Sequence, residues 1–245
     1  MKKYLAIVAL AMMSATALAQ KDTLKFIPEG DYANSIKILP APPKEGSAHF
    51  LYDQYQYFWG KQQRETPRGK QAYDDAAYNG EAWARDFSGA YGIEINDRNT
   101  PELMKLFRSM WNNHATSKAK RFYHRTRPFV YFNQPSLVPE DEAELRKNGS
   151  YPSGHTNIGT ALGLIMAEVN VANQDSILKR AWEYGQSRVI AGYHWQSDVD
   201  AGRFIGAAWV ARLHADATFC EQLKRVKAEF RKLDKAGRIK KHNNK

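Results

Sequence analysis

The sequence predicts an all-α protein, a compact multi-helix bundle that forms one domain. Three observations favour this class. Apolar residues recur three and four positions apart in several segments, which is the spacing of one face of a helix. Capping residues and a proline precede some of these segments, as expected where helices begin. No segment alternates apolar and polar residues over the length of a strand, and 245 residues suit one ordinary domain.

Residues 22–47 are expected to form an extended arm. They contain Pro28, Pro40, Pro42 and Pro43, and each proline removes a backbone donor and fixes φ. No helical spacing of apolar residues is sustained across the arm. Helical patterns dominate the chain after it.

The first capped helix is predicted to begin at residues 100–102, Thr-Pro-Glu. Threonine is a preferred N-cap residue, and proline suits the first helical position. The residues expected on one face of this helix are Leu103, Phe107, Met110 and Trp111. This face is predicted to pack against the core.

Three further helices are predicted towards the C-terminus. Residues 156–171 are apolar nearly all round, which is typical of a buried central helix. Residues 178–190 form a second helical segment that ends near Gly192. The acidic segment Ser-Asp-Val-Asp at 197–200 resembles a cap that opens a helix running to about Leu213.

Residues 1–19 are predicted to be a signal peptide. Two lysines form a basic head, residues 5–13 are apolar, and Ala-Leu-Ala at 17–19 has the small-x-small pattern of cleavage after Ala19. An N-terminal membrane anchor is the alternative, although the apolar run is short for that role. No later segment reaches the ~20 apolar residues that a spanning helix needs, so the mature chain, residues 20–245, is expected to lack a transmembrane segment.

Cysteine and charge exclude several kinds of site. Cys220 is the only cysteine, so an intramolecular disulfide and a cysteine-based zinc site are excluded. The net charge is +10, but residues 224–245 hold ten Lys or Arg against two acidic residues. The body is therefore near neutral, and no nucleic-acid specificity is expected. The basic tail is expected to be solvated and partly helical, with specific anion binding as the alternative.

The segment GSYPSGH, residues 149–155, precedes the predicted buried helix and is a candidate anion site. A helix N-terminus has free N–H groups and a partial positive charge. Gly154 would let a ligand approach the backbone, Ser153 adds a hydroxyl donor and His155 adds a titratable proton. The alternative is a helix cap with a hydrogen-bonded structural histidine.

A cationic segment, KRFYHRTRPF, lies upstream and places Lys120 and Arg127 seven positions apart. Arginine presents a planar fork that matches phosphate oxygens, and lysine supplies a compact charge. Pro128 stiffens the turn that follows. The alternative is a solvated cationic surface that would also include Arg121 and Arg125.

A third segment, SRVIAGYHWQSD, contains Ser187, Arg188, His194 and Asp198. The histidine and the aspartate are four positions apart, so the carboxylate can accept the imidazole N–H and fix its tautomer. This is the base-and-orienter half of a catalytic triad. A structural His–Asp pair is the alternative.

Together the three segments match K-x6-RP, PSGH and SR-x5-H-x3-D with every position filled. The pattern resembles that of the phosphatidic acid phosphatase type 2 superfamily, which includes vanadium haloperoxidases and bacterial acid phosphatases. Within it, GSYPSGHT at 149–156, TPRGKQAYDDA at 66–76 and HWQSD at 194–198 resemble the bacterial class A non-specific acid phosphatases. The resemblance covers roughly residues 50–215.

This resemblance implies a role for each matched side chain, at an active site formed by helix termini. The residues implied in phosphate binding are Lys120, Arg127, Ser153, Gly154 and Arg188. His194 would attack phosphorus and form a phosphohistidine. Asp198 would orient His194, and His155 would protonate the leaving alcohol. No cofactor and no metal site are implied.

The function implied is that of an exported acid phosphatase, a phosphoric monoester hydrolase with broad specificity for small phosphomonoesters. The signal peptide and the resemblance together suggest the periplasm, or secretion into the medium. A phosphotransferase side activity and a homo-oligomer are compatible with this family. The alternatives are a vanadium-dependent haloperoxidase, which uses the same cradle for vanadate, and a non-catalytic polyanion-binding envelope protein.

Overall fold

The computed structural model describes residues 23–111 and 114–242. All regular secondary structure in these residues is helical, which confirms the predicted all-α class. The predicted signal peptide and the last three residues of the basic tail lie outside the described residues. None of the described helices is long and apolar enough to cross a membrane.

The helices are α1 (Ser35–Ile38), α2 (Ala48–Gln62), α3 (Pro67–Asp74), α4 (Gly80–Tyr91), α5 (Pro101–Ser109), α6 (Ser117–Tyr123), α7 (Pro128–Tyr131), α8 (Glu142–Leu145), α9 (Gly154–Val169), α10 (Gln174–Ile190), α11 (Gln196–Leu213) and α12 (Ala217–Lys235). Single 3-10 turns lie at Glu29–Asp31, Gln63–Glu65, Pro139–Asp141 and Val171–Asn173. The predicted helices at 156–171, 178–190 and 197–213 correspond to α9, α10 and α11, with ends that differ by four residues or fewer.

The helix α9 is the centre of the bundle and packs against α10 and α11. Glycines allow this close approach. A Cβ at Gly159 would lie 2.4 Å from the ring of Tyr184 on α10, and a Cβ at Gly202 of α11 would lie 2.7 Å from the backbone oxygen of Ser153. Because α10 ends and α11 begins beside the start of α9, three chain segments meet at one end of the bundle.

The arm that precedes α2 is mostly irregular, as expected, but it packs onto the body. The backbone N–H of Leu24 donates to Ser109 Oγ at 2.9 Å. The ring of Phe26 lies edge-on to Phe219, with ring centres 5.5 Å apart. The arm therefore extends the core instead of lying free in solvent.

The start of α5 differs from its prediction in one respect. Pro101 occupies the first helical position as predicted, but the Thr100 side chain makes no capping bond. The carboxylate of Glu229, on α12, accepts hydrogen bonds from the N–H groups of Glu102 at 2.8 Å and Leu103 at 3.3 Å instead.

The other end of α5 also differs from its prediction. Trp111, predicted on the buried face, lies beyond the end of the helix and is 46% exposed.

The start of α11 also differs from its prediction. Ser197 was expected in the cap, but the helix begins at Gln196 with Trp195 at the N-cap position. Asp198 then lies in the first turn, where its Oδ2 accepts the Trp195 N–H at 2.9 Å. This places the predicted catalytic carboxylate inside the helix terminus.

The basic tail is partly helical as expected, but it is more than a solvated end. Its helical part is the second half of α12, whose Val226 and Leu233 are buried in the core. Beyond the helix, the Lys240 N–H donates to Gly92 O at 2.8 Å. The tail therefore belongs to the folded domain, because it contributes core side chains and the α5 cap.

Replacement of Glu229 by alanine should lower the free energy of unfolding by about 1 kcal/mol, the usual cost of a lost N-cap. The physical reason is that the N–H groups of Glu102 and Leu103 lose their acceptor. Urea unfolding followed by circular dichroism measures the change. Glu221→Ala, an exposed glutamate on the same helix, is the matched control, and equal losses in the two variants would contradict the capping role.

Candidate active site

The predicted site residues from all three segments converge where α9 begins. His194, in the loop between α10 and α11, lies between Arg127 and Asp198, at 3.3 Å from each. The backbone N–H of Ser153 donates to Asp198 O at 2.9 Å and ties the start of α9 to α11. Lys120 and Thr116 border the open space above Gly154. The structure therefore brings together residues that are far apart in the sequence.

The helix α9 begins at Gly154, two residues before the predicted start, with the cap that the sequence analysis gave as the alternative role of this segment. Ser153 is the N-cap, and its Oγ accepts the N–H of Thr156 at 3.2 Å and the hydroxyl of Thr156 at 2.9 Å. A Cβ on Gly154 would meet only Lys120 Cε and Thr116 Oγ1, each at 4.0 Å. This space above the first turn of the helix gives an anion access to the N–H groups of that turn.

The contacts of His194 fix its tautomer. Its Nε2 lies 3.3 Å from an Nη of Arg127, and a guanidinium can only donate. Nε2 is therefore an acceptor, and the ring hydrogen lies on Nδ1, which donates to Asp198 Oδ2 at 3.3 Å. The unprotonated nitrogen of a buried imidazole thus faces the cationic side of the site.

Arg125 holds the other oxygen of Asp198. Its Nη1 donates to Asp198 Oδ1 at 2.6 Å, and its Nη2 donates to Asp53 Oδ2 at 2.7 Å. The hydroxyl of Ser197 also donates to Asp53 Oδ2, at 2.6 Å. The alternative interpretation of this segment as a solvated surface does not hold for Arg125, because its side chain is 8% exposed. It does hold for Arg121, which is exposed.

Sequence reasoning missed the role of Asp53 and Arg125 because their pairing joins positions 72 residues apart. An aspartate in an aromatic-rich helix carries no pattern that links it to a distant arginine. The only available signal was the position of Arg125, two residues before Arg127.

Backbone carbonyl oxygens and an aromatic ring anchor the two buried arginines. Arg127 donates to the carbonyl oxygens of Leu145 at 2.8 Å and Tyr193 at 3.0 Å. Arg188 approaches Asp75 O at 3.4 Å and lies over the ring of Tyr193, 4.6 Å from its centre. These contacts hold each guanidinium in place before a ligand arrives.

The segment after α3 supplies contacts that the sequence did not predict. Asp75 accepts a hydrogen bond from Ser187 Oγ at 2.6 Å and from an Nη of Arg180 at 3.1 Å. The next residue, Ala76, has its carbonyl oxygen 3.0 Å from Nε2 of His155. A carbonyl only accepts, so Nε2 of His155 carries a hydrogen and Nδ1 is the nitrogen left for a second proton.

The site is electropositive, and burial disfavours the charged forms of its lysine and arginine side chains. Burial, reinforced by the charges of Arg127 and Arg188, lowers the pKa of Lys120 well below its usual range. Burial is also the main cause that lowers the pKa of Arg127, to about 10, and that of Arg188. An anion placed among these cations would offset the mutual repulsion.

The same environment lowers the pKa values of both histidines. Burial first, and then the charges of Arg127, Lys120 and Arg188, lowers the pKa of His194 well below its usual value. Burial and the charge of Arg188 do the same to the pKa of His155. In the free protein both imidazoles therefore favour the neutral form.

Among the described residues, no group of three or more His, Cys, Asp or Glu side chains has the arrangement of a metal site. The polar atoms of the site are mostly cationic donors, with Asp198 as the carboxylate in contact with His194. This donor set suits an anion with several oxygens, such as a phosphoryl group.

Comparison with known proteins agrees with this geometry. Residues 102–220 match the family model described as the PAP2 superfamily. The chain is 45% identical over 218 residues to a non-specific acid phosphatase of Providencia stuartii, with 88% of each chain covered. It is 47% identical over 200 residues to one of Salmonella typhimurium, with 80% of each covered. An acid phosphatase of Zymomonas mobilis is 32% identical, over 82% of this chain and 77% of its own.

Binding of sulfate should be accompanied by proton uptake near pH 6. Burial and the charge of Arg188 lower the pKa of His155. The bound dianion offsets that charge, so the pKa of His155 rises and a proton binds. Sulfate itself stays dianionic in this range. Calorimetry in two buffers of different ionisation enthalpy measures the number of protons, which we expect to be between about 0.3 and 1 per site.

The His155→Gln variant should take up fewer protons than the unmodified protein. The matched control is His214→Gln, because His214 is a partly exposed histidine paired with Glu168 outside the site. Proton release on sulfate binding, or uptake unchanged in His155→Gln, would contradict the assignment.

Proposed function

The chain belongs to the PAP2 superfamily, among its acid phosphatases, and from this premise we propose that it hydrolyses small phosphate monoesters through a phosphohistidine and without a metal ion. The observation that carries the proposal is the state of His194. Its Nδ1 is held by Asp198, and its unprotonated Nε2 faces a buried cation. A nucleophile in this setting can attack a dianion because the cations neutralise the repulsion.

In the first step, Lys120, Arg127 and Arg188 hold the phosphoryl oxygens, and the N–H groups at the start of α9 complete the cradle. The phosphate takes over the Arg127 hydrogen that Nε2 of His194 accepts in the free protein. Nε2 then forms a bond to phosphorus as the bond from phosphorus to the leaving oxygen breaks. Asp198 stabilises the positive charge that develops on the ring.

His155 handles the proton in both steps. In the first step its Nδ1–H passes a proton to the leaving oxygen, while Ala76 O keeps the Nε2 hydrogen in place. In the second step neutral Nδ1 takes a proton from water, whose oxygen attacks phosphorus and breaks the P–N bond. Phosphate and neutral His194 are regenerated. An alcohol in place of that water would give phosphotransfer.

Operation in acid follows from the depressed pKa values. A low pKa keeps the attacking nitrogen of His194 unprotonated in acidic medium. His155 needs its second proton, which it gains when the bound phosphate raises its pKa. The rate is therefore expected to fall on both sides of an acidic pH band. Export to the periplasm or the medium, from the signal-like residues 1–19, fits this use.

The test of the covalent step is rapid-quench trapping of phosphate label on the protein, under alkaline conditions because phosphohistidine is acid-labile. We expect label on the unmodified enzyme in the presence of EDTA and none on His194→Ala. The His214→Ala variant, which lacks a histidine outside the site, should carry as much label as the unmodified enzyme. Labelling that needs a divalent ion, or that persists in His194→Ala, would refute the mechanism.

The role of His155 predicts a dependence on the leaving group. His155→Ala should slow hydrolysis of alkyl phosphates by about 100-fold or more, within the usual range for a general acid. Hydrolysis of p-nitrophenyl phosphate should fall less, because p-nitrophenolate leaves without much help from a proton. Steady-state kcat/KM across a series of alcohols of graded pKa measures the effect. An equal loss for all substrates would show that His155 does not protonate the leaving oxygen.

A further inference from the structure

A column of aromatic rings rises from the core beside His155. Tyr78 contacts the imidazole, with ring centres 4.6 Å apart. Trp111 lies against Tyr78 at 5.2 Å, and Trp83 contacts both, at 5.1 Å from Tyr78 and 6.0 Å from Trp111. Tyr184 flanks the imidazole at 6.1 Å. None of these rings has a role in the phosphoryl transfer described above.

The exposure of the column increases towards the surface. Trp83 is fully buried and anchors it, Tyr78 is partly buried, and Trp111 is 46% exposed. A single exposed tryptophan is common on protein surfaces and has no meaning by itself. The position of Trp111 is the informative feature, because only the ring of Tyr78 lies between it and a predicted proton donor.

The leaving group must lie on this side of the site. Arg127, Arg188 and His194, which would surround the phosphoryl group, are almost fully buried. The partly exposed residues of the site are Lys120, Gly154 and His155. Since His155 protonates the leaving oxygen, the rest of the leaving group extends past His155 towards solvent, where Tyr78 and Trp111 lie.

We propose that Tyr78 and Trp111 form a subsite for planar aromatic leaving groups, so that the enzyme favours aryl-bearing and nucleoside phosphates over aliphatic ones. The inference rests on the proposed phosphatase function and specifies its substrate class. A planar ring that stacks on an indole or phenol face gains free energy in addition to that of burying its apolar area. Every nucleobase also has such a face, so the subsite selects for planarity and not for one base.

The test uses two pairs of phosphate esters whose leaving alcohols have matched acidity. One pair is 2-phenylethyl phosphate and 2-cyclohexylethyl phosphate. The other is a purine nucleoside 5′-phosphate and the methyl riboside 5-phosphate that lacks the base. For each pair the unmodified enzyme should show a kcat/KM about 10-fold higher for the aromatic member, within the range of one stacking contact. The two pairs distinguish aryl groups from nucleobases.

Trp111→Leu should bring the aromatic-to-aliphatic ratio of kcat/KM close to one, because leucine keeps an apolar side chain but has no ring face. Trp111→Phe should restore much of the ratio. The effect should appear in kcat/KM more than in kcat wherever hydrolysis of the shared phosphohistidine limits turnover. Trp182→Leu is the matched control, since Trp182 is a 56% exposed tryptophan whose ring packs under Arg203 of α11.

The outcomes separate the two proposals. If neither ester of a pair is hydrolysed by the unmodified enzyme, the proposed function fails. If both esters are hydrolysed with equal kcat/KM, or if Trp111→Leu lowers both equally and leaves the ratio unchanged, the subsite is refuted and the phosphatase stands. A ratio restored by Trp111→Phe also excludes misfolding of the leucine variant as the cause.

Discussion

The buried carboxylate of Asp198 is the interaction on which the rest of the site depends. One oxygen accepts hydrogen bonds from His194 and from the Trp195 N–H, and the other pairs with Arg125. Its backbone oxygen accepts the Ser153 N–H. This one residue therefore caps α11, orients the predicted nucleophile and ties α9 in place. A buried carboxylate tolerates this position only while its partners remain, because an unpaired buried charge is strongly destabilising.

The cationic side of the site is formed by Lys120, Arg127 and Arg188. It differs from the paired carboxylate of Asp198 because its charges all have the same sign. Burial is the first cause that lowers the pKa values of its cations, and the charges of neighbouring cations add to it at Lys120 and Arg127. Such an arrangement lowers stability in the free protein, and a bound anion would relieve it. Donors that are already fixed need little reorganisation when negative charge develops on the oxygens. Burial and the same cations also lower the pKa of His194, so the setting that would bind an anion would also keep the predicted nucleophile neutral.

The sequence predicted the helical class, the helices α9 to α11 and the motif residues that lie together at the start of α9, because short-range patterns record periodicity and motif spacing. It did not predict contacts that depend on tertiary packing. Thr100 looks like a cap, but Glu229 caps the helix from 127 positions away. The pairs Arg125–Asp53 and His155–Ala76 join segments more than 70 residues apart. No local pattern marks such partners, so the support for the motif residues was visible only in the fold.

In the proposed function, breadth and preference in substrate choice would come from different parts of this site. Charge and fixed N–H groups recognise the phosphoryl group, which every monoester shares, so they impose little selection on the alcohol. Selection can arise only where the alcohol touches protein, on the partly exposed side next to His155. A stacking contact there acts on the bound ester and is lost once the alcohol departs. In the proposed mechanism it therefore changes which ester is captured, while the phosphohistidine that would follow and its hydrolysis by water would be the same for all of them.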